Sequence, residues 1–459
     1  MKFSLDTDNT LKSKLLRYFK KTSHHSRTIR QSYNITQDSR IDEGFHQQKS
    51  NNASCPSLVT TTTYLSAVSS DQSKKIDFLD ALPVELAYLI LSYCDEKTVF
   101  ESTLVSKRWN ALCRDNYLWF QLYRQHHGMV YASSTTTTSS TTTSDIIDYK
   151  YLYERKTQLL GRWKHGQQQM QTIMGHSDSI YCVQFDTSKI VTGSRDRTIK
   201  FWNIASQHCY KTLKGHHASV LCLQYDDTIL VSGSSDHTLL VWSMKTYQPI
   251  RCLRGHTSGV LDVCFDESTI ASCSKDATIR TWTRDGQPLQ TLIGHRGPVN
   301  AIQFKNNRLV SASGDTVIKL WDMETGQCLR DFVGHAHGLA CIRFDGKRIV
   351  SGSNDNRIKV WNADTGECIL TCEGHTGLVR SLHFDKDKIV SGSYDQSIRV
   401  WDIQTGECLH TFARCHTSWV FDVMFDETKI ISTSQDQKIL IMDFAYNIDT
   451  RNLIRDLHI

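Results

Sequence analysis

The stretch GHHASVLCLQYDDTILVSGSSDHTLLVWS, residues 215–243, decides the fold. Three short runs within it, SVLCLQY (219–225), TILVSGS (228–234) and TLLVWS (238–243), are rich in β-branched and apolar residues and bounded by turn formers, the pattern of consecutive strands. The stretch recurs. A Gly-His pair stands at 175–176, 215–216, 255–256, 294–295, 334–335 and 374–375, and Cys415-His416 takes the seventh place. Each His precedes an Asp by 20 residues: Asp196, Asp236, Asp276, Asp315, Asp355, Asp395 and Asp436. Six residues beyond each Asp comes Trp202, Trp242, Trp282, Trp321, Trp361 or Trp401, with Met442 in the last copy. Four residues before it lies Thr192, Ser232, Ser272, Ser311, Ser351, Ser391 or Ser432. A period near 40 residues with about four strands per period predicts a β-propeller built from one sheet per repeat.

The repeat resembles the WD40 signature, so the expected fold is mainly β: a seven-bladed WD40 propeller over 169–446, preceded by a small all-α segment. In each copy His, Ser/Thr, Asp and Trp can satisfy one another by hydrogen bonds and so fix a turn between strands; His216, Ser232, Asp236 and Trp242 form one such tetrad, and His375, Ser391, Asp395 and Trp401 another. Seven copies of a Ser, His and Asp set argue for architecture rather than catalysis, and equally against metal ligation. The last repeat ends near Asp443-Phe444 after its third strand, so Met170–Met174, which has no blade of its own, is predicted to supply the missing fourth.

Outward from the repeats the chain changes character. Residues 76–128 are rich in Leu, aromatic and charged residues. Leu82, Leu86, Leu89, Ile90 and Tyr93 follow helical spacing after Pro83, with Glu85 in the first turn, and Val99, Leu104, Val105, Trp109 and Leu112 continue it. About 50 residues of short helices make a poor independent core, and an apolar face left over wants a partner. Residues 129–168 read as an insert containing ASSTTTTSSTTTS (132–144) followed by a helical linker, and 447–459 as a C-terminal tail. Residues 1–75 read as a disordered polar arm in which Leu11, Leu15, Leu16 and Phe19 could share one helix face.

The whole chain of 459 residues carries 53 Lys+Arg and 48 Asp+Glu, for a net charge of +5. Residues 1–75 hold 12 of those cations and 6 of the acids, so the folded part is near neutral. That argues against nucleic acid as a partner. Without ~18 consecutive apolar residues, no membrane span is expected, and the charged start of the chain does not read as a secretory signal. The 15 cysteines include no CxxC pair, so neither structural zinc nor another metal or cofactor is expected. Cys182, Cys222 and Cys341 share a strand register, and Cys328, Cys368 and Cys408 follow TGxC turns; all are read as small buried hydrophobes in a reduced cytoplasmic or nuclear setting.

Leu82-Pro83, Glu85-Leu86, Ile90-Leu91, Val105, Lys107-Arg108-Trp109 and Leu118-Trp119 resemble an F-box. An F-box followed by WD40 repeats resembles the substrate-recognition subunits of SCF (Skp–cullin–F-box) ubiquitin ligases. Within that family IYCVQFD (180–186), SVLCLQYDD (219–227), GHRGPVN (294–300) and LVRSLHFDKDKIVSG (378–392) are similar to the β-TrCP branch. The resemblance implies a non-catalytic adaptor. Leu82, Pro83, Leu86, Leu91, Val105, Trp109 and Trp119 would bury on a Skp-type adaptor, and through it join a cullin–RING module.

It further implies that the propeller's top face binds a phosphorylated degron. Two columns reach that face: the residue before each tetrad Asp, and the residue five beyond each His. These bring Arg195, Lys275 and Arg380 around one opening, with Tyr181 and Tyr394 nearby, and cations converging on one mouth suit phosphate. Arg195 and Arg380 match degron-binding arginines of the family; Lys275, Tyr181, Tyr394, Ser219, Ser235 and Asn300 match other contacts, and Gly338, Ala340 and Leu378 match as backbone or apolar ones. His337 and Trp419 stand where that branch has arginine, which points to fewer fixed charges: one phosphate, or a phosphate plus an acidic residue. Histidine is only partly charged near neutral pH, and tryptophan packs on apolar groups. Two other functions remain open: a WD40 scaffold without a ligase role, and a ligase adaptor for a non-phosphorylated substrate such as a transcription factor. Whether subunits pair as a homodimer is also open.

Overall fold

The computed structural model describes residues 82–127, 147–450 and 453. The arm over 1–75 and the Ser/Thr insert over 132–144 lie outside these. The chain divides into two compact units, residues 1–156 and 157–459.

Among the described residues of the first unit, four helices follow one another: α1 (Val84–Ser92), α2 (Glu96–Ser102), α3 (Lys107–Arg114) and α4 (Asn116–His127). Pro83 precedes α1 and Glu85 lies in its first turn, where negative charge suits the helix dipole. Asp95 caps α2 by accepting from the Thr98 amide at 3.0 Å, and Ser106 caps α3 through the Trp109 amide at 3.3 Å. The core comprises Ala87, Leu91, Val99, Trp109, Leu112, Leu118, Trp119 and Leu122, each 6% exposed or less. The Trp119 indole donates to the Cys113 carbonyl at 2.8 Å, and its ring meets Phe100 and Tyr153 at 5.6 and 5.4 Å. Tyr153 belongs to α5 (Tyr149–His165), the helix within which the two units divide.

The second unit is the propeller. Among the described residues, seven antiparallel sheets of four strands succeed one another. Blades 1 to 6 span 180–214, 220–254, 260–293, 299–332, 339–372 and 379–412. Blade 7 takes three strands from 420–443, and its fourth is Gln169–Met174, paired in register with Lys438–Asp443 from Gln169↔Asp443 to Met174↔Lys438. The ring is therefore closed by the segment that the repeat count had left without a blade. In blade 2 the second and third strands are almost wholly buried, whereas the fourth, Pro249–Arg254, is exposed except at Leu253.

The tetrads fasten each blade. His216 Nδ1 lies 3.0 Å from Asp236, its Nε2 2.8 Å from Ser232 Oγ, and the Trp242 indole donates to the same hydroxyl at 2.9 Å. In the sixth blade His375, Asp395, Ser391 and Trp401 repeat this with all three distances at 2.8 Å. The glycine before each His is a packing requirement: a Cβ on Gly175 would stand 2.9 Å from the Trp202 ring, and one on Gly215 2.8 Å from Trp242. The seventh copy carries Cys415 there, and its tryptophan is replaced by the fully buried Met442.

Two cysteine groups behave differently. Cys182, Cys222 and Cys341 are 4–7% exposed, as expected of small core residues. Cys328, Cys368 and Cys408 are exposed, which corrects the buried reading: each opens a fourth strand, the outermost of its blade.

The last turns of α5 belong to the second unit and pack on blade 7. The Trp163 ring stacks on Phe444 at 3.8 Å, and its indole donates to the Glu427 carbonyl at 2.8 Å. Arg162 donates to the carbonyls of Phe444 (2.9 Å) and Tyr446.

Candidate functional site

The residues five beyond each repeat histidine all line one cavity at the propeller axis: Tyr181, Leu221, Leu261, Asn300, Ala340, Arg380 and Phe421. They converge because each lies near the start of its blade's first strand, and the seven first strands surround the axis. The second column is held beside them by the backbone. The amides of Arg195, Ser235, Lys275, Gly314, Asn354, Tyr394 and Gln435 donate to the carbonyls of Ser179, Ser219, Gly259, Pro298, Gly338, Leu378 and Trp419, at 2.8–3.0 Å. Of the residues expected at the mouth, Ser219/Ser235, Gly338/Asn354 and Leu378/Tyr394 are therefore bonded partners in three separate blades.

The side chains differ in what they leave free. Arg195 is 58% exposed, with its Nε 3.7 Å from Asp178. Lys275 is exposed. Arg380 is half-buried and donates to the Ala340 carbonyl at 3.3 Å, and Asn300 donates to the Leu339 carbonyl at 2.6 Å, so the Asn300 amide is already engaged within the protein. His337 is exposed, and its carbonyl accepts from Ser353 Oγ at 3.0 Å.

On one side of the mouth, aromatic rings form a continuous wall. Trp419, 44% exposed, stacks on Tyr394 with centroids 4.5 Å apart and planes 6° apart; Tyr394 meets Phe421 at 6.0 Å, and Phe421 meets Tyr181 at 4.8 Å. Burial pushes the Tyr181 phenol above its usual pKa, with Arg195 opposing, so it remains a hydrogen-bond donor at neutral pH. The mouth thus combines cations from blades 1, 3 and 6 with an apolar, hydroxyl-bearing face built by blades 6, 7 and 1.

Beneath the mouth, sequence reasoning missed Asp262, Asp422 and Arg343, all of which line the cavity. Burial raises both carboxyls above the usual range, while Arg343 opposes this. The available signal was an acid at a position otherwise held by small residues, one beyond the lining column: Cys182, Cys222, Ala301, Cys341 and Ser381.

The first unit corrects part of the expected adaptor surface. Leu91, Trp109 and Trp119 are 0, 3 and 1% exposed and form its core, because three of the short helices must bury their largest groups on each other. Pro83 and Leu82 remain accessible, and Leu86 (46%) and Val105 (48%) are exposed. Val84, Leu89, Tyr93 and Leu104 are exposed apolar residues as well, and the expected set had not included them.

A seven-bladed propeller following F-box-like helices defines the class. The WD domain, G-beta repeat family matches residues 167–203, 207–243, 247–283, 286–322, 326–362, 366–402 and 406–443, and the F-box-like family matches 79–125. The chain belongs to the WD40-repeat family and carries an F-box-like domain before its propeller. Among curated relatives, it is 27% identical over 156 residues to a probable E3 ubiquitin ligase complex SCF subunit sconB of Arthroderma benhamiae (28% of this chain, 24% of that protein). It is 30% identical over 150 residues to an F-box protein of Saccharomyces cerevisiae (28% and 23%), and 33% identical over 142 residues to F-box/WD repeat-containing protein 7 of Drosophila melanogaster (29% and 11%). The matches to the first of these relatives span about a quarter of the relatives' length. Among solved structures, the computationally designed Ika8 protein is similar with a TM-score of 0.52 at 35% identity, over 59% of this chain and 85% of that one.

Proposed function

We propose that this protein is the substrate-recognition subunit of an SCF-type ubiquitin ligase, working in the cytoplasm, the nucleus or both. Its first unit docks a Skp-type adaptor through the exposed residues Leu86, Leu89, Tyr93, Leu104 and Val105, and its propeller captures a phosphorylated degron. The observation that carries the reading is the mouth itself: Arg195, Lys275 and Arg380 carry fixed cations in its two columns, next to an aromatic wall. Arginine can bond two phosphate oxygens at once, and charge-assisted bonds of this kind contribute about 1.5–3 kcal/mol each. The chain's own work is to bind and orient. The adaptor and cullin–RING module would bring a ubiquitin-loaded enzyme to the captured substrate, so that acceleration comes from proximity.

The test is fluorescence anisotropy of the full chain with Asp-pSer-Gly-x-x-pSer peptides carrying two, one or no phosphates. Phosphate is expected to change affinity more than about tenfold, and Arg195→Ala or Arg380→Ala to remove that dependence. Equal binding of all three peptides would exclude phosphate recognition. Preference for the singly phosphorylated peptide would set the site apart from the β-TrCP branch, as His337 and Trp419 predict. For the first unit, Leu86→Asp is expected to abolish co-purification with a Skp-type adaptor; a wild type that never co-purifies with one would favour the scaffold reading.

A further inference from the structure

The junctions between blades are not all fastened alike. From blade 1 to 2, the Gln184 amide both donates to the Tyr225 carbonyl (3.1 Å) and accepts from the Tyr225 amide (2.7 Å). From blade 2 to 3, Gln224 does the same with Phe265 at 3.3 and 2.8 Å. Beyond these two junctions the corresponding residues are Cys264, Gln303, Arg343, His383 and Met424, the last two at the junctions from 6 to 7 and from 7 to 1. His383 Nδ1 is buried without a hydrogen-bond partner, and a thioether cannot make a two-way clasp.

Asp422 serves both of those junctions. One carboxylate oxygen accepts from the Val183 amide of blade 1 at 2.8 Å. The other accepts from Ser381 Oγ of blade 6 at 2.6 Å and from its own neighbour's amide, Val423, at 2.9 Å. Asp422 and the two residues it ties across blades lie next to the mouth in sequence: Ser381 follows Arg380, Asp422 follows Phe421, and Val183 is two beyond Tyr181. Asp262 has a smaller reach, accepting from the amides of Ile302 in blade 4 at 3.0 Å and of Val263 at 2.9 Å.

We propose that Asp422 is a positioning residue that locks blades 6, 7 and 1 together, holding Arg380, Phe421 and Tyr181 in one geometry at the mouth. The proposal bears on degron capture through the reading above, but the locking itself is independent of it. Replacing the carboxylate with an amide removes one of the two acceptor oxygens while preserving size, so Asp422→Asn is the variant that tests position without a cavity.

The experiment compares full-length wild type, Asp422→Asn, Asp262→Asn and Ser381→Ala by hydrogen–deuterium exchange. All are measured well below their melting temperatures, alongside peptide anisotropy. Asp422→Asn is expected to speed exchange about tenfold or more in segments 180–185 and 420–425, leaving 260–265 and 299–305 unchanged; Asp262→Asn should do the reverse, and Ser381→Ala should give a smaller rise confined to the first pair. Peptide affinity should fall at least fivefold for Asp422→Asn and less than twofold for Asp262→Asn. A rise spread evenly over all seven blades, no rise at 180–185 and 420–425, or equal affinity losses for both aspartates would overturn the proposal. If the wild type binds none of the peptides, the degron reading fails, and the exchange pattern alone decides the locking role.

Discussion

Tetrads and mouth are built on the same seven-fold backbone repeat, yet they are used in opposite ways. The tetrad hydroxyl is Ser or Thr in all seven blades, and each repeat histidine bonds it and an aspartate, as at His176 and His416. The mouth column carries Tyr, Leu, Leu, Asn, Ala, Arg and Phe in successive blades. The difference follows from solvent. A tetrad hydroxyl is 0% exposed, so its partners have nothing else to bond. Mouth side chains line an open cavity in which no hydrogen-bond set recurs from blade to blade, and all but the buried Ala340 and Phe421 are partly exposed, so that position is free to differ between blades. Identity across repeats therefore marks what the fold requires, and variation marks where the surface can be specific.

The comparison can be broken most severely at the ring closure. Deleting residues 168–175 removes the fourth strand of blade 7 and exposes the edge at Lys438–Asp443. The melting temperature is expected to fall by at least ~10 °C or the transition to lose cooperativity, read by calorimetry; an unchanged transition would show that three strands suffice there. The next largest effect belongs to the first unit. Trp119→Ala should cost about 3–5 kcal/mol, whereas Leu86→Asp should leave stability within ~0.5 kcal/mol, so denaturant titration separates core from docking patch. Within the propeller, Ser391→Ala leaves His375 Nε2 and the Trp401 indole unpartnered, at a cost of about 2–4 kcal/mol. Ser235→Ala, at the mouth, should stay within ~0.5 kcal/mol. Equal effects of the two serines would erase the contrast.

Acid should act on the tetrads more gradually. Burial lowers the pKa values of His256, His295, His335 and His375 despite their aspartate partners. Such a histidine stays neutral in the fold while the unfolded chain takes up a proton near pH 6.5, so its contribution is complete above that pH and is lost as the pH falls towards its folded value. Tetrad carboxyls are lowered too: burial raises them, but their hydrogen bonds outweigh it, bringing Asp436 to about 2. Their contribution is present above about pH 4 and lost below. Asp262 and Asp422 run the other way, since their raised values relieve a burial penalty as pH falls. The tetrad groups outnumber them, so melting temperature should hold between pH 8 and 7 and decline below about 6. A melting temperature that rose towards pH 5 would mean that the two channel acids dominate.

Much of this was legible in the chain itself. The His-to-Asp and Asp-to-Trp spacings located every blade, and the count of strands after Cys415 exposed the one that was missing. The mouth columns followed from the same register, because a fixed offset from a fixed turn lands on the same face in every blade. What remained hidden was the state of each side chain. Asn300 and Arg380 read as free binders, yet both bond carbonyls of blade 5. The apolar residues of the helices also read alike, although Leu91 is enclosed and Leu89 is 51% exposed. Short helices carry apolar residues on more than one face, and periodicity alone does not say which face meets a neighbour.

By itself, the amino-acid order determined the repeat, the number of blades and the architectural role of the tetrads, because these depend on local strand and turn chemistry recurring at a constant interval. Only the tertiary structure decided which tryptophans form a core, which rings form the wall at Trp419 and Tyr394, and that Asp422 bonds both Ser381 and Val183. That last contact joins residues 239 apart in sequence, and it exists only because the ring closes and brings the last blade against the first.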